Sequence, residues 1–116
     1  MYIRSYKFWI FIIYLILIIF LSSQSGNKLV LFPNLWKIDK IVHFIEYFIL
    51  GILLINVIKI KPLSRKKWLG ALIFLLLFPI FDESLQYFIP RRIPDIYDAI
   101  ADIAGGFIGA YIRKYI

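Results

Sequence analysis

The chain has no cysteine, one histidine and one methionine in 116 residues. Without cysteine it can form neither a disulfide nor a thiolate metal site. No compact metal signature such as His-Glu-x-x-His is present. Internal repeats and low-complexity runs are also missing. Acids are scarce, seven against fourteen basic residues, for a net charge of +7. Polar residues are scarce overall: 62% of the chain is hydrophobic and 19% aromatic, where a soluble domain is only about half apolar. That balance excludes an ordinary water-soluble domain.

The apolar residues gather in four stretches, Phe8 to Leu21, Ile41 to Ile58, Trp68 to Ile89 and Ile96 to Tyr111. A bilayer core needs about 20 helical residues, and residues 2–22 fill out the short first stretch. The pattern predicts a single all-α integral membrane domain over 1–116. It is expected to be a four-transmembrane-helix bundle, with helices at about 6–22, 40–58, 67–89 and 95–114.

Charge then sorts by side. With the N-terminus cytoplasmic, one side holds Arg4, Lys7, Lys59, Lys61, Arg65, Lys66, Lys67, Arg113 and Lys114 and no acid. The other holds Lys28, Lys37, Lys40, Arg91 and Arg92 together with all seven acids. Positive residues concentrate in cytoplasmic loops, so both termini are expected to be cytoplasmic. The basic excess reads as a topology signal and an anionic-lipid contact, with no nucleic-acid partner implied.

Punctuation along the chain supports the same division. Arg4 and Lys7 before an apolar run, with Ser23 and Ser25 after it, also resemble a signal peptide; the four-helix arrangement favours a retained first helix. Asp39 reads as a cap or first-turn charge for the second helix, Pro62 and Ser64 interrupt the chain before the third, and Asp95 between Pro90 and the fourth helix reads as an N-cap. Pro79 is expected to kink the third helix. Residues 29–36, apolar around Pro33, suggest an interfacial segment or a lid.

The chemistry lies at the acidic ends of the helices. Counted from Asp39, His43 sits about 6 Å and Glu46 about 10 Å deep, on one face with Tyr47 and Leu50. Counted back from Ile89, Asp82 and Glu83 also lie about 10 Å deep, with Gln86 one turn above. Asp95, Asp98 and Asp102 form one stripe on the fourth helix, which continues into the small-residue spacing of Gly105 and Gly109. A charge facing lipid costs about 2.5–3.5 kcal/mol, so these groups must converge on one another or on water. Arg92 is the nearest strong counter-charge from the outer turn; Lys40 and Arg91 are candidates that could instead snorkel to headgroups. The expected catalytic set is His43, Glu46, Asp82, Glu83 and Asp98; the expected binding set is Gln86, Arg92, Asp102 and Lys40.

At these residues the chain resembles the VanZ-like family of small membrane proteins. The resemblance rests on Ser22, Ser23 and Gln24; on Asp39, Lys40, His43, Glu46 and Tyr47; and on Asp82, Glu83, Gln86, Phe88 and Pro90. Arg92, Asp98, Asp102, Gly105 and Gly109 complete the series. Two positions depart from the family pattern: Arg91 stands where glycine is usual, and Asp102 where asparagine is common. The resemblance implies a multi-pass protein of the bacterial cytoplasmic membrane. It also implies a link to resistance against teicoplanin-type glycopeptide antibiotics, with which the family's namesake is associated.

Three functions stay open on the sequence. The outer pocket could recognise or modify an envelope lipid or glycopeptide-related ligand, with a carboxyl as acid or base, His43 as proton partner and Arg92 on a phosphate. It could be the cation or proton site of a small transporter, although the inner half offers little beyond Asn56 as a polar path. It could also fix the assembly of a non-catalytic interaction subunit. No cofactor is expected, with a divalent cation on the acids and His43 as the alternative.

Overall fold

The computed structural model describes residues 6–22, 35–59, 64–86, 88 and 96–116. These form four helices: α1 Tyr6–Ser22, α2 Leu35–Ile58, α3 Arg65–Gln86 and α4 Ile96–Tyr115. Two contain stretches long and apolar enough to cross a membrane, Lys40–Ile58 with mean hydropathy 2.2 and Arg65–Leu85 with 1.7. α1 is apolar but shorter.

Helix starts differ from the sequence expectation for local reasons. α2 opens at Leu35, so Asp39 lies in its second turn and does not cap it. Leu35 and Trp36 are helical, as nothing between Pro33 and Asp39 breaks a helix. α3 opens at Arg65, two residues before the expected 67, because Ser64 caps it: the Ser64 Oγ accepts the Lys67 N–H at 3.2 Å, a standard N-cap bond. α3 then runs as one helix through the buried Pro79 and closes at Gln86, short of 89. Residues 29–34, Ser23, Ser25, Pro90, Arg91, Arg92, Pro94 and Asp95 lie outside the described residues.

The tightest packing is between α2 and α4, which run side by side in the same direction. A Cβ on Gly105 would collide with the carbonyl oxygen of Phe44, one on Gly109 with that of Phe48, and one on Gly51 with that of Gly106. Backbone thus touches backbone over three turns, an approach only glycine allows. Gly106, turned the other way, receives Leu75 of α3, whose Cδ2 would lie 3.2 Å from an added Cβ. Beneath these contacts Ile18, Tyr47, Leu50, Ile55 and Leu75 are fully buried. α1 joins through Phe11 against Phe74, ring centroids 6.0 Å apart, and through the Tyr14 hydroxyl, which donates to the Glu46 carbonyl at 2.7 Å.

At the opposite end Lys59 Nζ donates to the carbonyls of Arg113 and Lys114, at 3.1 and 2.8 Å. These are among the last carbonyls of α4, which have no partner within the helix. Arg113 Nη2 donates to Asn56 Oδ1 at 2.9 Å.

The distribution of polarity is the reverse of a water-soluble bundle. Ile13, Ile16, Ile45, Ile73, Leu77 and Ile100 are exposed, whereas His43, Asp82, Asp98 and Asp102 are buried.

The glycine contacts generate a stability prediction. Gly105→Ala and Gly109→Ala should each destabilise the detergent-solubilised protein by about 1–3 kcal/mol or more, as overpacking does. Gly70→Ala, where an added Cβ meets nothing within 4 Å, should be neutral or slightly stabilising. Thermal unfolding midpoints check the order; equal midpoints for all three would remove the backbone contact from the account.

Candidate functional site

Asp98, Asp102, Gly105 and Gly109 are spaced four, three and four residues apart, so they share one face of α4. The glycine approach that closes this face on α2 therefore carries both aspartates onto α2. Lys40 Nζ forms an ion pair with Asp98 Oδ1. One turn deeper, His43 Nδ1 lies 2.9 Å from Asp102 Oδ1, while its Nε2 faces Asp98 Oδ2 at 3.9 Å. The four side chains form a continuous series, Lys40, Asp98, His43 and Asp102, alternating between the two helices.

α3 enters one turn below. The Tyr47 hydroxyl donates to Asp82 Oδ2 at 3.1 Å, and Tyr47 and Asp82 are both fully buried. Glu46 and Glu83, next in sequence to Tyr47 and Asp82, are half-buried. Lys40, His43, Asp82, Asp98 and Asp102, five of the residues singled out in the sequence, thus come together at one end of α2, α3 and α4. Gln86 closes α3 with its side chain outside the described set, and Arg92 lies outside it altogether.

A neutral imidazole has one donor and one acceptor nitrogen, and an ionised carboxylate only accepts. The bond between His43 Nδ1 and Asp102 Oδ1 runs in the direction that the imidazole tautomer and the carboxyl's protonation set, and in either direction it fixes the orientation of the ring. The second oxygen of Asp102 is buried without a hydrogen-bond partner among the described residues. An imidazole held between two carboxyl groups is chemically able to pass a proton between them. No group of three or more His, Asp and Glu side chains among the described residues is arranged to hold a metal ion.

Lys40 turns inward to Asp98, where the sequence also allowed it to reach headgroups. Tyr14 was missed as the residue tying α1 to this layer; the signal was a hydroxyl in the middle of an aliphatic run, which needs a partner once buried. An open apolar groove of about 410 Å³ lies elsewhere, along α3, lined by Gly70, Ile73, Phe74, Leu77, Phe78 and Phe81.

Across residues 8–116 the chain matches a family model described as VanZ/LLP1. The chain belongs to the VanZ/LLP1 family. No curated protein and no solved structure matches it. In this VanZ/LLP1 chain the acid at 102 is the residue that meets His43. An asparagine there could accept the same hydrogen bond through its amide oxygen, but would bring no charge to the imidazole.

A double-mutant cycle tests the series. Lys40→Met and Asp98→Asn each remove one partner of the pair and should each destabilise, by up to about 3–5 kcal/mol as for a buried pair. The combined variant should recover part of the loss, with a coupling of about 0.5–3 kcal/mol. Additive losses in thermal or denaturant unfolding would show that the two do not interact.

Proposed function

We propose that this VanZ/LLP1 protein is a four-helix membrane bundle with both termini cytoplasmic, and that the polar ends of α2, α3 and α4 form an outer-leaflet site for a cell-envelope component. The residues proposed to act on the ligand are His43, Glu46, Asp82, Glu83 and Asp98, with Lys40, Gln86, Arg92 and Asp102 binding or orienting it. The observation that carries the reading is the series Lys40–Asp98–His43–Asp102, buried apart from the partly exposed lysine, beneath an apolar exterior. Charges in a bilayer face inward and mark function by default. A role in tolerance to teicoplanin-type glycopeptides is proposed through the family.

What supports a ligand site over a transport path is the layer below it. Leu50, Leu54, Ile55, Leu75 and Ala71 are buried between the polar end and the Asn56–Arg113 pair, so the polar groups have no described continuation across the bundle.

Topology is tested with single cysteines at Lys28, Ser64 and Arg91 in this cysteine-free chain, probed in intact cells with an impermeant thiol reagent. The first and third should label and the second should not; the reverse pattern places the polar end inside and overturns the outer site.

Function is tested by expression in a susceptible Gram-positive host. Tolerance should rise for teicoplanin-type lipoglycopeptides more than for vancomycin, and Glu83→Gln, Asp98→Asn and Arg92→Ala should each abolish the rise at normal protein levels. Ile13→Ala, on the exposed flank of α1, should retain it. A rise that survives all three pocket substitutions would transfer the role to an interaction surface.

A further inference from the structure

The end of the bundle opposite the acids carries seven described cations from all four helices, Lys7, Lys59, Arg65, Lys66, Lys67, Arg113 and Lys114. The nearest acids along α2, α3 and α4 are Glu46, Asp82 and Asp102, and each belongs to the other end.

The cations divide by what the fold does with them. Lys59 holds the last carbonyls of α4, and Arg113 holds Asn56. Lys114 lies 4.3 Å over the Trp68 ring. Arg113 and Lys114 also stand in the last turn of α4, where the helix dipole favours positive charge. Arg65, Lys66 and Lys67 have the opposite situation. They are exposed in the first turn of α3, where the dipole disfavours cations, so helix stability gives no reason for them.

The groove on α3 begins where they stand. Lys66 and Gly70 are four residues apart, and Ile73, Phe74, Leu77 and Phe81 continue the same face at helical spacing. From Gly70 to Phe81 the groove extends about 16 Å along the helix. Gly70 forms its notch, with nothing within 4 Å of an added Cβ, and the stacked rings of Phe74 and Phe78, centroids 5.4 Å apart, form a wall. Trp68 beside Tyr111 marks the membrane–water level at which aromatic belts sit.

We propose that this face of α3 binds an anionic glycerophospholipid, its phosphate headgroup against Arg65 and Lys66 and one acyl chain in the groove from Gly70 to Phe81. A cation at the mouth of an apolar channel parallel to the helix fits an amphiphile with that arrangement. A soluble anion would leave the groove unused, and a neutral lipid would leave the cations unmatched. The inference rests on the membrane reading above, and it concerns a site separate from the acidic cluster.

The test uses the purified full chain in detergent, with phosphatidylglycerol, phosphatidylcholine and inorganic phosphate as probes, followed by native mass spectrometry and thermal unfolding. Phosphatidylglycerol should bind about thirtyfold more tightly than phosphatidylcholine, as expected for two cations near an anionic surface, and the preference should shrink with salt. The Arg65→Gln/Lys66→Gln variant should bring the two lipids close to parity. Gly70→Leu should weaken both lipids without lowering the lipid-free unfolding midpoint, because its side chain enters open space. Equal binding of the two lipids by the wild type, retained binding in Gly70→Leu, or full competition by inorganic phosphate would each overturn the proposal. Flotation with phosphatidylcholine vesicles separates the two readings: a protein that fails to float loses the membrane reading and this one with it. A protein that floats without headgroup preference loses this one alone.

Discussion

The backbone contact between α2 and α4 is the constraint on which the other features depend. Gly105 and Gly109 remove the side-chain layer that normally separates two helices, so Phe44 and Phe48 present their carbonyl oxygens directly to α4. Nothing in a bilayer pushes helices together hydrophobically; close packing and interhelical polar contacts must do it. Both occur on one face. The distance at which Asp98 meets Lys40 and Asp102 meets His43 is set one or two turns away, by residues that carry no chemistry.

That coupling also explains why so much charge can be buried. Asp82, Asp98 and Asp102 would each be costly alone, since an isolated buried carboxylate loses its hydration without compensation. Here each has a partner on a neighbouring helix: Tyr47, Lys40 and His43. Such pairs are weak evidence of net stability, because desolvation offsets attraction. Their persistence at one end of the bundle therefore fits chemistry better than thermostability, and α3 and α1 complete the layer through single hydroxyls, Tyr47 to Asp82 and Tyr14 to Glu46.

Much of this was legible in the residues because so apolar a chain has few ways to dispose of polar groups. The three-and-four spacing of Asp98, Asp102, Gly105 and Gly109 identified the face of α4, and the apolar stretches located all four helices. The start of α2 was not legible: Asp39 imitates a cap, while the helix propagates from Leu35, just beyond Pro33. The choice of partner for α4 was not legible either, since Gly51 and the unobstructed carbonyls of Phe44 and Phe48 give no signal until the helices are placed together. Lys40 could have turned outward or inward, and in the fold it turns to Asp98.

The glycine face has a further property, which follows from its repetition. Four residues before Gly105 stands Ala101, so if α4 slid about 6 Å along α2, Gly105 would arrive at Phe48 but the alanine methyl would arrive at the Phe44 carbonyl, where an added Cβ collides. In that shifted alignment Asp102 would also pass His43 and reach the level of Tyr47, and Lys59 would face the interior of α4 in place of its terminal carbonyls. Steric fit and the polar contacts at the two extremities, Asp102 with His43 and Lys59 with the carbonyls of Arg113 and Lys114, thus select the same alignment, much as a vernier is read from its end marks.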